Sequence, residues 1–515
     1  MTTPQEKLAQ ALEALHALQE QGHVAIKTTE ITRTQRERLV KHGFIREVVK
    51  GWYMQVNPEE KVGDSTVWYS NFWAFCSRFL YSKYGDNWII SADQSLLLHA
   101  GNHTVPTQLL IKSPEATNYN TDLPNNTSLF GLQGNLPGKE WITELSEIRM
   151  YTLPASLVYC SATIFRKDAT DARTALSLIK DASQVLAILL EGGHSVIAGR
   201  LAGAFRNMGR DRIADEIIET MRAAGYDVRE NDPFDSQLDV KLDFRERSPY
   251  GNRIRLMWQQ MREVVLTNFP KVPGIPKDYN AYLLKIEKLY ITDAYHSLSI
   301  ERYRVSPQLI ERVRKGDWDF QANEVDKQQR DAMAARGYWQ AFQLVEKSIK
   351  KILQGGNAGE IADADHGAWY RELFGPSVTA GLLRPADLAG YRNGQVYIGG
   401  SKHVPLNVEA VRDTMPVFFE LLAEEPEAAV RAVLSHFIFV FIHPYMDGNG
   451  RMGRFLMNVM LASGGYPWTV IPVERRDEYM KALDKASAEL DIEPFSKFLG
   501  QLVNESLKGK PEAKI

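Results

Sequence analysis

His443 to Arg454 reads H-P-Y-M-D-G-N-G-R-M-G-R. Pro444, Gly448 and Gly450 interrupt any helix across the first half of this stretch, so a loop is expected with several backbone N–H groups turned one way. Such a loop is an anion nest. From Arg451 onward, Met452, Phe455, Leu456, Met457, Val459, Met460 and Leu461 suit a buried helix that stops at Gly464, Gly465 and Pro467. An anion held by the loop would therefore sit at a helix N-terminus. Arg451 and Arg454 oppose the helix dipole there, which a bound polyanion explains. Asp447 is the one anion of the set. A carboxylate beside phosphates calls for a cation between them, and Mg²⁺ shared with phosphate oxygens answers that need. His443 carries a side chain whose ordinary pKa suits proton abstraction from a hydroxyl. Together these groups suit a nucleoside triphosphate.

The stretch resembles the Fic motif, H-P-F-x-(D/E)-G-N-G-R-x-x-R, at every specified position except Tyr445, which stands where the family has Phe. The resemblance implies transfer of AMP from ATP to a Ser, Thr or Tyr hydroxyl of a target protein, with release of pyrophosphate. It implies His443 as the base, Asp447 as the Mg²⁺ ligand, and Gly448, Asn449 and Gly450 as the anion hole. Arg451 and Arg454 would hold the outer phosphates. Gly448, Gly450 and Gly453 also spell G-x-G-x-x-G after the apolar run Phe437 to Ile442, with Glu474 about twenty residues on. A dinucleotide fingerprint, however, places its first glycine directly after the strand, whereas His443 to Asp447 intervene. It also leaves His443, Asp447, Asn449 and both arginines without a role. A glycine loop joining two core helices is the plain structural alternative. The apolar run itself extends back to Pro426 and is long enough for a buried helix.

Two more segments fit the same reading. Gln395 to Pro405, Q-V-Y-I-G-G-S-K-H-V-P, has two short extended runs about Gly399 and Gly400, the pattern of a hairpin. In the family this is the flap, and the resemblance makes Val396, Tyr397 and Ile398 the edge that docks a target segment by main-chain pairing. Ser297 to Glu301, S-L-S-I-E, ends an amphipathic helix that begins near Asp278, with Tyr282, Leu283, Ile286, Leu289, Tyr290 and Ile291 as its apolar face. It resembles the family's inhibitory motif, (S/T)-x-x-x-E-(G/N), which implies that Glu301 pairs with Arg454 and takes the place of the γ-phosphate. Arg302 stands where the family has Gly or Asn.

Length and composition agree with an ordinary globular protein. The chain has 515 residues, 44% of them hydrophobic, enough for two or three domains with real cores. A net charge of −3 gives no global bias toward polyanions. Cys76 and Cys160, without paired spacing, argue against a disulfide scaffold or zinc ribbon. The start, M-T-T-P-Q-E-K-L, lacks a basic stretch followed by an apolar one, and no apolar run reaches membrane-spanning length, so a soluble cytoplasmic protein is expected.

In the first block, Leu8, Leu12, Leu15 and Leu18 form a helix face, Thr32 to Gly43 reads as a short capped helix, and F-I-R-E-V-V-K-G-W-Y-M from Phe44 as two small strands. Helix, helix, hairpin is a winged-helix order. Residues 22–55 hold seven Lys and Arg against three Glu, a sign opposite to that of the whole chain. Duplex DNA is the candidate partner, with Arg33, Arg36 and Lys41 as contacts; a protein-binding module or a solvated helix face is the alternative. With I-I-S-A-D-Q-S-L-L-L-H-A-G at Ile89 to Gly101 and G-W-Y at Gly51 to Tyr53, the first half resembles the AbiEi-like antitoxin family, which joins a winged helix to a mixed α/β domain.

The expected architecture is mainly α. A winged helix (1–60) and a mixed α/β then helical region (61–240) precede an all-helical Fic core with a β-hairpin flap (250–510), whose inhibitory helix spans 278–301. Residues 106–113 and 148–160 read as strands, Asp171 to Gly225 as three helices, Asp227 to Asp239 as a polar linker, and Lys327 to Leu353 as a long helix. Arg475 to Leu490 and Ile492 to Leu507 read as helices after the core. The leading function is an autoinhibited adenylyltransferase using ATP and Mg²⁺ on a target protein, as a monomer or homo-oligomer. The alternatives are a toxin-antitoxin-like DNA regulator whose Fic domain senses nucleotide, and an enzyme of the same kind that uses another nucleotide or removes AMP.

Overall fold

The computed structural model describes residues 3–56, 58, 65–238, 242–244, 248–316 and 330–515. The chain divides into two compact units, one of residues 1–249 with Tyr397–Val404, the other of Tyr250–Val396 with Pro405–Ile515.

The first unit begins with α1 (Pro4–Glu20), β1 (Ala25–Lys27), α2 (Arg33–Lys41), β2 (Ile45–Val49) and β3 (Trp52–Gln55). Thr32 and Gln35 form a capping box that starts α2. The strands pair antiparallel in the order β1-β3-β2, with Ala25 opposite Met54 and Ile45 opposite Gln55. The aromatic helix α3 (Thr66–Tyr84) follows, then β4 (Ile89–Ile90), α4 (Ala92–His99), β5 (Gln108–Ser113), β6 (Tyr119–Leu123) and β7 (Thr127–Gln133). Their sheet runs β4-β5-β7-β6 and is mixed, β5 and β7 being parallel. A hairpin of β8 (Ile142–Leu145) and β9 (Ile148–Tyr151) leads into helices α5 (Leu153–Tyr159) and α6 (Ile164–Lys167).

The expected strand over 148–160 therefore ends at Tyr151. Pro154 suits the first turn of a helix, and Ala155, Leu157 and Val158 of that helix are buried. The stretch from Asp171 holds more helices than the three expected: α7 (Ala169–Leu178), α8 (Ser183–Glu191), α9 (Ser195–Asn207) and α10 (Asp211–Ala223). The polar stretch from Asp227 is packed down and does not act as a linker. A Cβ on Gly199 or Gly203 of α9 would collide with the main chain at Arg229 and Asn231, so the two glycines form a groove for that segment. Glu230 pairs with Arg206 at 2.7 Å, Asp232 accepts from Asn207 at 2.9 Å, and Val228 and Phe234 are buried. Its charges answer specific partners, a property that composition does not reveal. Asp239 at its end, and Lys327 at the start of the expected long helix, lie outside the described residues.

The second unit is helical: α11 (Tyr250–Asn268), α12 (Tyr279–Ile300), α13 (Pro307–Lys315), α14 (Arg330–Leu353), α15 (Ala358–Thr379) and α16 (Val408–Glu424) precede α17 (Ala428–Ile442) and α18 (Asn449–Ala462). Then come α19 (Arg476–Glu489) and α20 (Glu493–Leu507). α17 and α18 are buried along nearly their whole length and occupy the middle of the core, with Phe437, Phe439, Phe455 and Met457 fully buried and Arg451, Arg454 and Asn458 of α18 buried beside them. No helix among the described residues is long and apolar enough to cross a membrane.

The segment Gln395–Pro405 turns at Gly399 and Gly400 but forms no β-ladder, so the flap is an extended loop and not the expected hairpin. Pro405 has no N–H to give to a ladder, and the Gln395 side chain donates to the Pro405 carbonyl at 2.9 Å in place of a main-chain pair. Residues 397–404 are held within the first unit: Gly400 N–H donates to Thr66 Oγ1 at 2.9 Å and Val105 N–H to the Lys402 carbonyl at 3.1 Å.

Candidate active site

The site lies where α17 hands over to α18. His443 ends α17 with φ 55° and ψ 59°, a left-handed conformation that turns the chain sharply away from the helix axis. Its Nδ1 is 3.1 Å from the Val440 carbonyl, so Nδ1 carries the proton and Nε2 keeps its lone pair for work as a base. Burial pushes the imidazole down to about 4, with the charge of Arg392 adding to the effect and Glu301 and Asp447 opposing it. The ring is thus neutral, and able to accept a proton, throughout the neutral range.

The loop is locked by its own residues. The Asn449 side chain accepts from Tyr445 N–H at 2.9 Å and donates to the Tyr445 carbonyl at 2.8 Å. Asn449 therefore holds the loop with its side chain and leaves its backbone N–H for a ligand. Tyr445 stacks on Tyr370 at 3.8 Å between ring centroids, which is what an aromatic residue does at this position. Gly448 caps α18 at φ +80° with no side-chain cap, and the first helical hydrogen bond runs from Met452 N–H to the Gly448 carbonyl. The N–H groups of Asn449, Gly450 and Arg451 thus stand at an uncapped helix start, ready for an anion.

Two arginines complete the cradle. Arg451 is buried against the rings of Phe374 and Tyr303, and its Nε has no hydrogen-bond partner. Arg454 is buried too; its Nε donates to Ser297 Oγ at 2.8 Å, its Nη2 to the Ser297 carbonyl at 2.9 Å and to Glu301 Oε1 at 2.8 Å, while Nη1 has no partner. Buried N–H groups without acceptors are rare and costly, and a polyphosphate would satisfy them. Asp447 is exposed, its side chain 65% accessible, and accepts from Gly448 N–H at 2.6 Å. One exposed carboxylate next to a phosphate cradle fits Mg²⁺, which binds proteins through one or two carboxylates and takes its other ligands from phosphate and water. No cluster of three or more His, Cys, Asp or Glu that would hold a metal by itself exists among the described residues.

Ser297, in the last turn of α12, and Glu301, at its C-cap, both reach Arg454. A Cβ on Gly450 would collide with Glu301 Oε1, so the carboxylate lies directly over the cradle. Burial pushes the Glu301 carboxyl up, but Arg454, Arg451 and Arg476 outweigh it and hold the group below its usual range. Glu301 caps the helix, and the next residue, Arg302, sits at φ 65°. Tyr303 N–H closes onto the Leu298 carbonyl at 3.1 Å, a Schellman end. Gly or Asn suits this left-handed position; arginine costs about 1 kcal/mol there. Arg302→Gly is expected to raise the melting temperature by roughly 2 °C, whereas Arg302→Ala leaves it near the parent value. A calorimetric scan in which glycine gives no gain over alanine would remove the backbone explanation.

Of the flap residues, Val396 and Ile398 are half-buried and Tyr397 is exposed. On α2, Arg33 is exposed and paired with Glu37 at 2.7 Å, Arg36 is 5.8 Å from the Tyr53 ring centroid and donates to the Thr28 carbonyl, and Lys41 is exposed. Two arginines at the site were invisible in the sequence. Arg476, from α19, donates to the Ile300 carbonyl at 2.8 Å, next to the Glu301 carboxylate. Arg392 donates to the His443 carbonyl at 2.8 Å. Neither belongs to a spaced motif, so no local signal marks them.

Residues 365–461 match the model of the Fic/DOC family. Proteins named "Protein adenylyltransferase Fic" from Drosophila willistoni and Drosophila virilis are each 37% identical over 131 residues, 25% of this chain and 26% of theirs. The chain thus matches about a quarter of the length of these curated relatives. Among solved structures, Fic-1 from C. elegans aligns over 68% of this chain and 97% of its own at 17% identity and a TM-score of 0.38. A Fic family protein from Desulfovibrio desulfuricans aligns over 50% and 74% at 21% identity and a TM-score of 0.35.

Proposed function

Because residues 365–461 form a Fic domain, we propose that this protein transfers AMP from ATP to a Ser, Thr or Tyr hydroxyl of a target protein and holds itself inhibited through Glu301. The observation that carries the reading is the cradle: an uncapped helix start, two buried arginines with unanswered N–H groups, and a carboxylate lying over it. His443 Nε2 takes the proton of the target hydroxyl as its oxygen bonds to the α-phosphorus, and the bond from that phosphorus to the bridging oxygen breaks. Pyrophosphate leaves with the electron pair. Its charge is met by the N–H groups of Asn449 to Arg451 and by Arg451 and Arg454. Asp447 would hold Mg²⁺, which supplies charge neutralisation of the phosphates when bound.

In this reading Glu301 takes up Arg454, so the outer phosphate cannot settle and ATP is held in an unreactive pose. The test is incubation with Mg²⁺ and ATP labelled either at the α- or at the γ-phosphate. Adenylyl transfer puts the α label, and not the γ label, onto protein, with the mass of AMP on a hydroxyl residue. Label in neither case, with ATP bound, would favour a nucleotide sensor. The same assay run with other nucleotides, and on an AMP-bearing target, separates the remaining alternatives.

The N-terminal segment supports a second activity. Its helix-strand-helix-hairpin order, with β3 between β1 and β2, suits a winged module, and residues 22–55 carry an excess of four positive charges. Duplex DNA is the proposed partner. Arg33→Ala with Arg36→Ala is expected to weaken duplex binding several-fold and to flatten its salt dependence, with the slope falling by about 1 to 2. Unchanged binding isotherms at two salt concentrations would assign the segment to protein contacts instead.

A further inference from the structure

Arg392 is 2% exposed, and among the described residues no carboxylate pairs with it. Its guanidinium goes to main-chain oxygens: Nε donates to the His443 carbonyl at 2.8 Å, Nη1 to the Gly394 carbonyl at 2.9 Å, and Nη2 to the Leu406 carbonyl. Its own N–H donates to the Pro444 carbonyl at 2.9 Å. Burial without a counter-ion pushes it down to about 10, so the cation persists at neutral pH at some cost to the fold. A buried charge is kept under those conditions when its geometry is needed. The three carbonyls sit at three different nitrogens of a planar fork, whereas the three donors of an ammonium share one nitrogen and cannot reach acceptors in these positions.

The three carbonyls are not scattered. His443 carries the base and adopts a left-handed conformation that a residue other than Gly or Asn rarely takes without support. Its N–H donates to the Phe439 carbonyl at 2.9 Å, so with Arg392 on its carbonyl both of its main-chain polar groups are fixed. Gly394 and Leu406 lie on either side of the loop Gln395–Pro405, the segment assigned to target docking.

We propose that Arg392 is a positioning residue that holds the backbone of His443 in its reactive conformation and ties both ends of the docking loop to that same point. The inference rests on the adenylyl-transfer reading for the role of His443, and the geometry gives Arg392 its part. Through one guanidinium, the backbone of the base and the two loop ends at Gly394 and Leu406 share a single anchor. A displacement of the base by about 1 Å costs on the order of 10²-fold in rate.

The test uses the full-length Glu301→Gly protein as parent, with Arg392→Lys and Arg392→Met added. Lysine keeps the charge and loses the fork; methionine loses both. Both variants are expected to lower kcat for α-label transfer by about 10² while leaving KM for ATP within twofold. The charged groups facing His443 are Arg392, Glu301 and Asp447. With Glu301 absent, Arg392→Met should raise the His443 pKa by about 1, read by NMR of labelled histidine, whereas Arg392→Lys should leave it in place. Parent-like kcat and an unmoved titration in both variants would overturn the proposal. So would loss of ATP binding and of the parent's melting temperature in step with lost transfer, because that pattern describes only a structural residue. Should the parent itself transfer no AMP, the function assigned above fails, and the histidine titration still decides whether Arg392 governs His443.

Discussion

Glu301→Gly is expected to raise AMP transfer by about 30-fold over the parent protein when the incorporation of α-labelled ATP is measured under equal Mg²⁺ and ATP. The estimate comes from one ion pair. The charge-assisted hydrogen bond that a phosphate must displace is worth about 1.5–3 kcal/mol. Glu301 keeps 34% of its side chain exposed, so solvent screening reduces the figure to roughly 2 kcal/mol, which corresponds to about 30-fold. The variant gives Arg454 back its Nη2 and clears the space above Gly450. It also leaves a buried arginine without its anion, so the variant is expected to melt lower alone and to recover when ATP is added. Glu301→Gln keeps the shape and removes the charge, and should fall between the two. Equal incorporation by Glu301→Gly and the parent would end the autoinhibition reading while leaving the transfer reading intact.

His443→Ala in the Glu301→Gly background is expected to lower transfer by about 10³, the usual loss for a general base, with ATP affinity unchanged because the proposed phosphate contacts are the N–H groups of Asn449 to Arg451 and the two arginines. The pH dependence follows from the state of the ring. A base works in its deprotonated form, so the rate is lost as pH falls through its pKa. Burial holds that value well below the ordinary 6.5, at about 4. Transfer should therefore stay level from pH 8 down to about pH 6. An acid limb centred on the ordinary imidazole value would mean that the ring is hydrated and differently placed. Wild-type-like turnover by His443→Ala would move the base elsewhere.

The site was legible where chemistry is local. His443, Asp447, Gly448 and the two arginines sit within twelve residues, and turn residues followed by an apolar run fix a loop and a helix start whatever surrounds them. The helix ending at Glu301 was legible for the same reason, since its apolar period and its S-x-x-x-E end are both short-range patterns. Asn449 shows the limit. Its backbone N–H stands in the turn that the motif assigned to an anion, while the further task of its side chain, closing the loop on Tyr445, is set by loop geometry that residue spacing does not give. The flap shows another. Two extended runs about a Gly-Gly pair read as a hairpin, whereas its main-chain groups find partners at Thr66 and Val105, more than 290 residues away in sequence.

Sequence alone determined the elements whose causes lie within a few residues: the glycine turn after His443, the buried pair of helices α17 and α18, and the capped helix α2. Tertiary structure decided what depends on convergence. It set Glu301 against Arg454 across 153 positions, brought Arg392 to the carbonyl of His443 across 51, and packed the polar stretch from Asp227 onto α9. The physical reason is one of range. Dihedral preference and hydrophobic period act along the chain, while an ion pair or a buried hydrogen bond is chosen by whichever groups the packed core brings within about 3 Å.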